Sequence, residues 1–221
     1  MKKTGGNLHN KIQEDKAYAL KKKQLLKFNF WIIFGTWLPF VFIAVISNSL
    51  TLIAQMIMGA AQSLSVFLSW MTARHSFRKQ TRLYRSEKMN ALFMAFVFLA
   101  SFFVVIGMAT ERIFNPREIK HDIALIGLVV NSFSIPVNFI QWRRNYNLSK
   151  QKLSLIMEGQ WALFQIKFFT VLTVEISLLL FFLLEGKGIH AYIDSLFSYA
   201  LAFLTLFSSI RLFSKSKNYR Q

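Results

Sequence analysis

Long apolar stretches alternate with short polar blocks along this chain, and six of the stretches stand out: residues 28–46, 50–73, 91–109, 123–142, 162–184 and 193–210. Each is close to the roughly 20 residues an α-helix needs to cross a hydrocarbon core about 30 Å thick. Inside that core every backbone N–H and C=O must be paired, by a helix within itself or by a closed barrel. The short alternating segments of a barrel do not occur. The pattern therefore predicts an all-α membrane protein, a six-transmembrane-helix bundle. The fifth stretch has an apolar lead-in from Leu153 and would run about 48 Å as helix. Its first two turns, with Glu158 and Gln160, are expected to stand in the cytoplasmic interface.

The polar blocks set the orientation. Residues 1–27 carry eight lysines, residues 74–88 six cations, residues 143–152 four and residues 211–221 four. The alternate loops, 47–49, 111–122 and 185–192, carry none, three and one. Cations collect on the cytoplasmic side of a membrane, so both termini are predicted to be cytoplasmic. The chain divides into a basic cytoplasmic N-terminal segment (1–27), a six-helix transmembrane domain (28–210) and a short basic cytoplasmic tail (211–221). The N-terminal segment is too long in its basic part, and its apolar run too long, for a cleavable signal peptide. Lys21, Lys22 and Lys23 beside Leu20, Leu25 and Leu26 read either as a short interfacial helix against anionic lipid or as plain orientation charge.

Composition narrows the function. Only 17% of residues are charged and 54% are apolar, with 24 Phe, whereas a soluble chain has about 25% charged. The net charge of +17 would suggest nucleic acid in a soluble protein. Here the cations lie in blocks between spans, so the lipid bilayer is the expected partner and nucleic acid is not. The absence of cysteine excludes disulfides and thiolate metal sites. No glycine-rich phosphate loop and no nucleophile–His–acid set can be found, so neither an enzyme nor a cofactor is expected. The chain reads as an integral protein of the bacterial cytoplasmic (inner) membrane.

Polar side chains inside apolar spans are costly and are candidates for function. Gln55, Gln62 and Ser69 recur every seven residues on the second span, with Met58 and Ser65 close to the same face. On the fourth, Asn131, Ser134, Asn138 and Gln141 share a face. Two such stripes suggest a shared interior surface, either a substrate path or hydrogen-bonded glue between helices. Pro39 and Pro136 free the carbonyls of Gly35 and Ser132. On the fifth span, Lys167 has a stem long enough to snorkel outward. Glu175, near mid-span, must be protonated, face a cavity or meet a cation.

Several strings then resemble the cation diffusion facilitator (cation efflux) family, over about residues 14–213. Ser49-Leu50-Thr51-Leu52-Ile53-Ala54, followed by Gln62-Ser63-Leu64-Ser65, is similar to its second helix. Tyr84 to Asn90 stands at its Lys-containing entry to helix three, and Glu111-Arg112-Ile113-Phe114-Asn115-Pro116 at the exit. Asn131 and Tyr192-Ile193-Asp194 also fit. The resemblance implies exchange of divalent metal for protons, through paired His or Asp ligands on helices two and five, and a homodimer. The helix-two positions are Met58 and Gln62. On helix five, one register gives Gln160 and Phe164, another Val171 and Glu175. Neither set suits zinc, which takes imidazole, thiolate or carboxylate ligands, and His9, His75, His121 and His190 all lie outside the spans. The family's cytosolic metal-sensing domain is also expected to be missing. The reading is a cation-efflux-like transporter of a cation or small polar solute other than tightly bound Zn2+, with substrate-path candidates Gln55, Met58, Gln62, Asn131, Asn138, Gln160, Lys167 and Glu175. The alternative is a transport-inactive relative that serves as partner or assembly subunit of a membrane complex.

Overall fold

The apolar stretches form helices that run past them at both ends. The computed structural model describes residues 4–75, 80–115, 119–152, 154–184 and 190–218, which form α1 (Thr4–Ser47), α2 (Leu50–His75), α3 (Gln80–Phe114), α4 (His121–Gln151), α5 (Leu155–Leu183) and α6 (His190–Asn218). Each is long and apolar enough to cross a membrane. The closest packing partners are α3 with α6, α4 with α5, and α1 with α2. Large apolar side chains such as Phe42, Phe96, Phe133, Phe203 and Phe207 point outward, as they do where lipid rather than water is the solvent.

The interior is correspondingly polar. Asn29, Asn131, Asn145, Gln160, Ser198 and Thr205 are fully buried. Asn29 Nδ2 donates to Asn145 Oδ1 at 2.9 Å and ties α1 to α4, and Ser209 Oγ donates to the Ala95 carbonyl at 2.7 Å and ties α6 to α3. Such bonds hold transmembrane helices together where apolar contact gives no preference over lipid. Pro39 and Pro136 sit inside α1 and α4, which continue through them.

Two buried ion pairs close the ends of the bundle, and each caps a helix. At one end, Asn48 takes a left-handed conformation (φ 56°), which asparagine tolerates better than most residues, and turns α1 sharply into α2. Asp194 of α6 then receives the Leu50 N–H, the Thr51 N–H at 2.9 Å and the hydroxyls of Ser49 and Thr51 at 2.9 and 2.7 Å. Arg112 of α3 pairs with it at 3.3 Å and donates to the Asn48 carbonyl. A carboxylate over the exposed N–H groups of a helix start also complements the helix dipole. At the other end, Glu87 of α3 accepts the Leu155 N–H at 3.1 Å beside the N-cap Ser154 of α5. Lys22 of α1 reaches Glu87 at 2.8 Å and Ser154 Oγ at 2.7 Å.

This second pair revises the reading of the N-terminal lysines. A separate interfacial helix does not form: α1 is one helix of 44 residues, about 66 Å long. Lys22, only 8% exposed, has a specific partner, whereas Lys21 and Lys23 do not share its burial. The start of α5 also differs from a segment lying free in the interface, because Ile156 and Met157 are buried with Leu26, Ala73 and Leu148. Glu158 does remain near the surface, paired with Lys215 at 3.0 Å.

Candidate functional site

The polar stripe of α2 and that of α4 meet around a cavity of about 290 Å³ lined by α1, α2, α4 and α5. From α2, Gln55, Met58 and Gln62 line it, spaced as one helix face. From α4 come Ser134 and Asn138, and from α5 Lys167, Thr170 and Val171. The remaining wall is apolar, formed chiefly by Ile32, Trp37, Phe40 and Val130, with the exposed Phe133 and Val137 at its rim. Lys167 is the charged residue of the lining and makes no hydrogen bond or ion pair with a described residue. Its stem therefore stays with the cavity, whereas the sequence allowed snorkelling to the interface.

One end of this cavity continues into a hydrogen-bonded network. Gln55 Nε2 donates to Asn131 Oδ1 at 3.0 Å, and Asn131 Nδ2 donates to the Val171 carbonyl at 2.8 Å and to Glu175 Oε2 at 3.1 Å. Ser132 Oγ donates to Glu175 Oε1. Glu175 is thus held by an amide and a hydroxyl from α4, an arrangement the sequence did not suggest. A direct Glu175–Lys167 pair does not form.

Gln160 lies elsewhere. Its Nε2 donates to Ser69 Oγ at 3.1 Å, and Asn90 Nδ2 donates to the same oxygen at 2.8 Å. Phe164 packs with Phe98, Leu163 and Met94 in an apolar cluster. Of the two helix-five registers, the pair Gln160 and Phe164 is therefore away from the cavity. From the other pair, Val171 lines it and Glu175 stands behind Asn131. The residue facing it one turn before Val171 is Lys167, four positions earlier as on one helix face.

Several lining groups still have hydrogen-bonding capacity. Gln55 Oε1 and Thr170 Oγ1 are buried with no partner, and the Gln62 side chain, 1% exposed, forms no hydrogen bond with a described residue. Trp37 and Thr36 were not singled out from the sequence, since neither continues a polar stripe. Trp37 is held by its indole N–H, which donates to the Met56 carbonyl at 2.9 Å. Its ring lies so close to α2 that a Cβ on Gly59 would stand 2.6 Å from Trp37 Cδ1. Gly59→Ala is therefore expected to displace Trp37, break that bond and lower stability by about 1–3 kcal/mol. A melt beside tryptophan fluorescence checks it, and an unchanged emission spectrum with an unchanged melt would contradict it.

The donor set does not fit a divalent metal substrate of the zinc type. Among the described residues no three His, Cys, Asp or Glu side chains approach closely enough to hold a metal ion. His121 opens α4 and packs edge-on to Phe182 at 4.7 Å, and the side chains of His9, His75 and His190 lie outside the described set, as does Pro116. A thioether, amides and an ammonium replace the hard or borderline ligands that such ions select.

The strings at residues 49–51, 112 and 194 meet in one buried cluster, and Met58, Gln62 and Val171 line one cavity. No curated protein matches the chain. The chain does match the description "Cation efflux transmembrane domain" over residues 26–219, most of its length. It is an integral membrane protein that belongs to the cation efflux family of transporters.

Proposed function

We propose that this protein is a cation-efflux-type transporter whose central cavity carries a cation or small polar solute other than tightly bound Zn2+. The observation that supports it is the lining itself: Met58 and Gln62 stand where the family resemblance implies the helix-two metal ligands, and Lys167 lines the same cavity. An ammonium at that place opposes a second cation by Coulomb repulsion, and amides suit a solute recognised by hydrogen bonds. Gln55, Asn131, Asn138 and Glu175 form the polar side of the path. Gln160, bonded to Ser69, serves the packing of α2, α3 and α5. We take the working unit to be a homodimer, as the family resemblance implies, and its membrane to be a bacterial inner membrane.

Zinc binding is the first test. Calorimetry on tag-free protein in detergent is expected to show at most weak binding, as the lining has no zinc ligand set. Micromolar or tighter binding that survives replacement of the four histidines would overturn the proposal. Flux of small polar solutes into proteoliposomes tests transport directly; no flux, with a co-purifying membrane protein, would favour the inactive-partner alternative.

Orientation is tested separately. The chain has no cysteine, and Asn115 and Asn147 are both exposed. With cytoplasmic termini, an impermeant thiol reagent added outside intact cells should label Asn115→Cys and leave Asn147→Cys unlabelled. The reverse pattern would invert the topology.

A further inference from the structure

We infer that the solute carried in the cavity is a small carboxylate with an apolar body and a hydrogen-bond donor, best an ammonium, at its far end. This rests on the transport reading above and names its substrate class. Lys167 supplies an unpaired cationic donor in an otherwise uncharged lining. One turn further along the same face, Thr170 is 2% exposed and its hydroxyl has no partner. An ammonium and a free hydroxyl side by side satisfy a carboxylate, and a carboxylate in turn offsets the cost of keeping that ammonium in the membrane.

The opposite end has the opposite character. Gln55 gives its N–H2 to Asn131, so the oxygen left free there is an acceptor. Behind it, Asn131 carries the Glu175 carboxylate. Both features favour a donor, and a charged donor more than a neutral one.

The two ends are separated along the bundle. Gln55 is level with Val171, because both bond Asn131. Lys167 lies four residues before Val171, about 6 Å back along α5, and Gln62 lies about 10 Å from Gln55 along the antiparallel α2. The cavity thus has its ammonium at one end and the Gln55 acceptor at the other, with Thr170, one residue before Val171, on α5 between Lys167 and the Gln55 level and Trp37 and Val137 as apolar wall. A bare metal ion satisfies neither the ammonium nor the wall; an ω-amino carboxylate satisfies both ends and the wall together.

Thermal shift and calorimetry on the full chain in detergent, with sodium 5-aminopentanoate, sodium pentanoate, pentylamine and zinc chloride as separate probes, test this. The expected order is 5-aminopentanoate tightest, pentanoate weaker, and no response to pentylamine or zinc. Lys167→Met should abolish both carboxylate responses. Thr170→Val, which keeps shape and removes only the hydroxyl, should weaken them by roughly ten- to a hundredfold, the effect of one charge-assisted hydrogen bond. Unliganded melts establish that both variants fold; Lys167→Arg, which keeps the charge, should retain carboxylate binding and serves if Lys167→Met does not fold. The inference is overturned if neither carboxylate binds the wild type up to tens of millimolar. It is equally overturned if pentylamine or zinc binds instead, or if carboxylate binding persists undiminished in Lys167→Met. Carboxylate binding without flux in liposomes would support this assignment and remove the transport reading; flux of pentylamine or a metal ion without carboxylate binding would do the reverse.

Discussion

Asp194→Ala is expected to destabilise the protein by roughly 3–5 kcal/mol, the range for removing one partner of a buried ion pair. The carboxylate is 3% exposed and Arg112 5%, so the guanidinium would lose its counter-charge away from water. The N–H groups of Leu50 and Thr51 and the hydroxyls of Ser49 and Thr51 would lose their acceptor in the same step. Arg112 keeps its bonds to the Asn48 carbonyl and side chain, which limits the loss without cancelling it. Asp194→Asn should cost less, because one oxygen remains to accept from the helix start while the charge is gone. Asp194→Leu combined with Arg112→Leu should recover part of the loss, since neither charge is left alone. Melts of the wild type and the three variants in one detergent give the comparison, and an Asp194→Ala melt equal to wild type would refute the cap.

The same cluster shows how far a sequence reaches. Ser49-Leu50-Thr51, Arg112 and Asp194 could be picked out as strings of a family pattern, yet they lie as much as 145 residues apart, and no periodicity connects them. Their meaning, a carboxylate and an arginine closing the start of α2, depends on packing between three helices. The spans themselves were legible because hydrophobic length is a local property. So was the cavity's α2 face, since Gln55, Met58 and Gln62 follow the helical repeat. Gln160 was drawn into the path by a sequence register alone; α5 instead turns it toward Ser69 and Asn90, and Lys167 toward the cavity. Lys22 was indistinguishable from Lys21 and Lys23, because which of three consecutive lysines is buried depends on how α1 is rotated against α3. Glu175 was legible as a problem, a carboxylate in mid-span. Its solution was not, since Asn131 and Ser132 belong to another helix.

Glu175→Gln is expected to reduce transport by roughly ten- to a hundredfold while the fold survives, the loss equivalent to one charge-assisted hydrogen bond of about 1.5–3 kcal/mol. Glutamine keeps the length of the side chain and one acceptor oxygen, so it can still receive a bond from Asn131 or Ser132. It cannot receive both with the same strength, and its own N–H2 must either face the Asn131 N–H2 or turn the Ser132 hydroxyl into an acceptor. The disturbance passes to Asn131, which presents Gln55 to the cavity. If Glu175 merely anchors α4 to α5, its replacement should lower the melting point, and flux per folded molecule should be unchanged. If it belongs to the path, the melt should hardly move, and both the flux and its dependence on pH should fall. Asn131→Ala separates the two further. It removes the bond to Glu175 along with the bonds to Gln55 and the Val171 carbonyl, so it should depress both stability and flux. Glu175→Gln with full flux and an unaltered pH profile would take Glu175 out of the transport path, whatever the melts show. Lys167→Met alone removes an unpaired ammonium from the membrane and should raise the melt by itself; because the two charges do not pair directly, that gain should be the same in Glu175→Gln as in the wild type, and a larger gain in Glu175→Gln would reveal coupling between them through a neighbouring subunit.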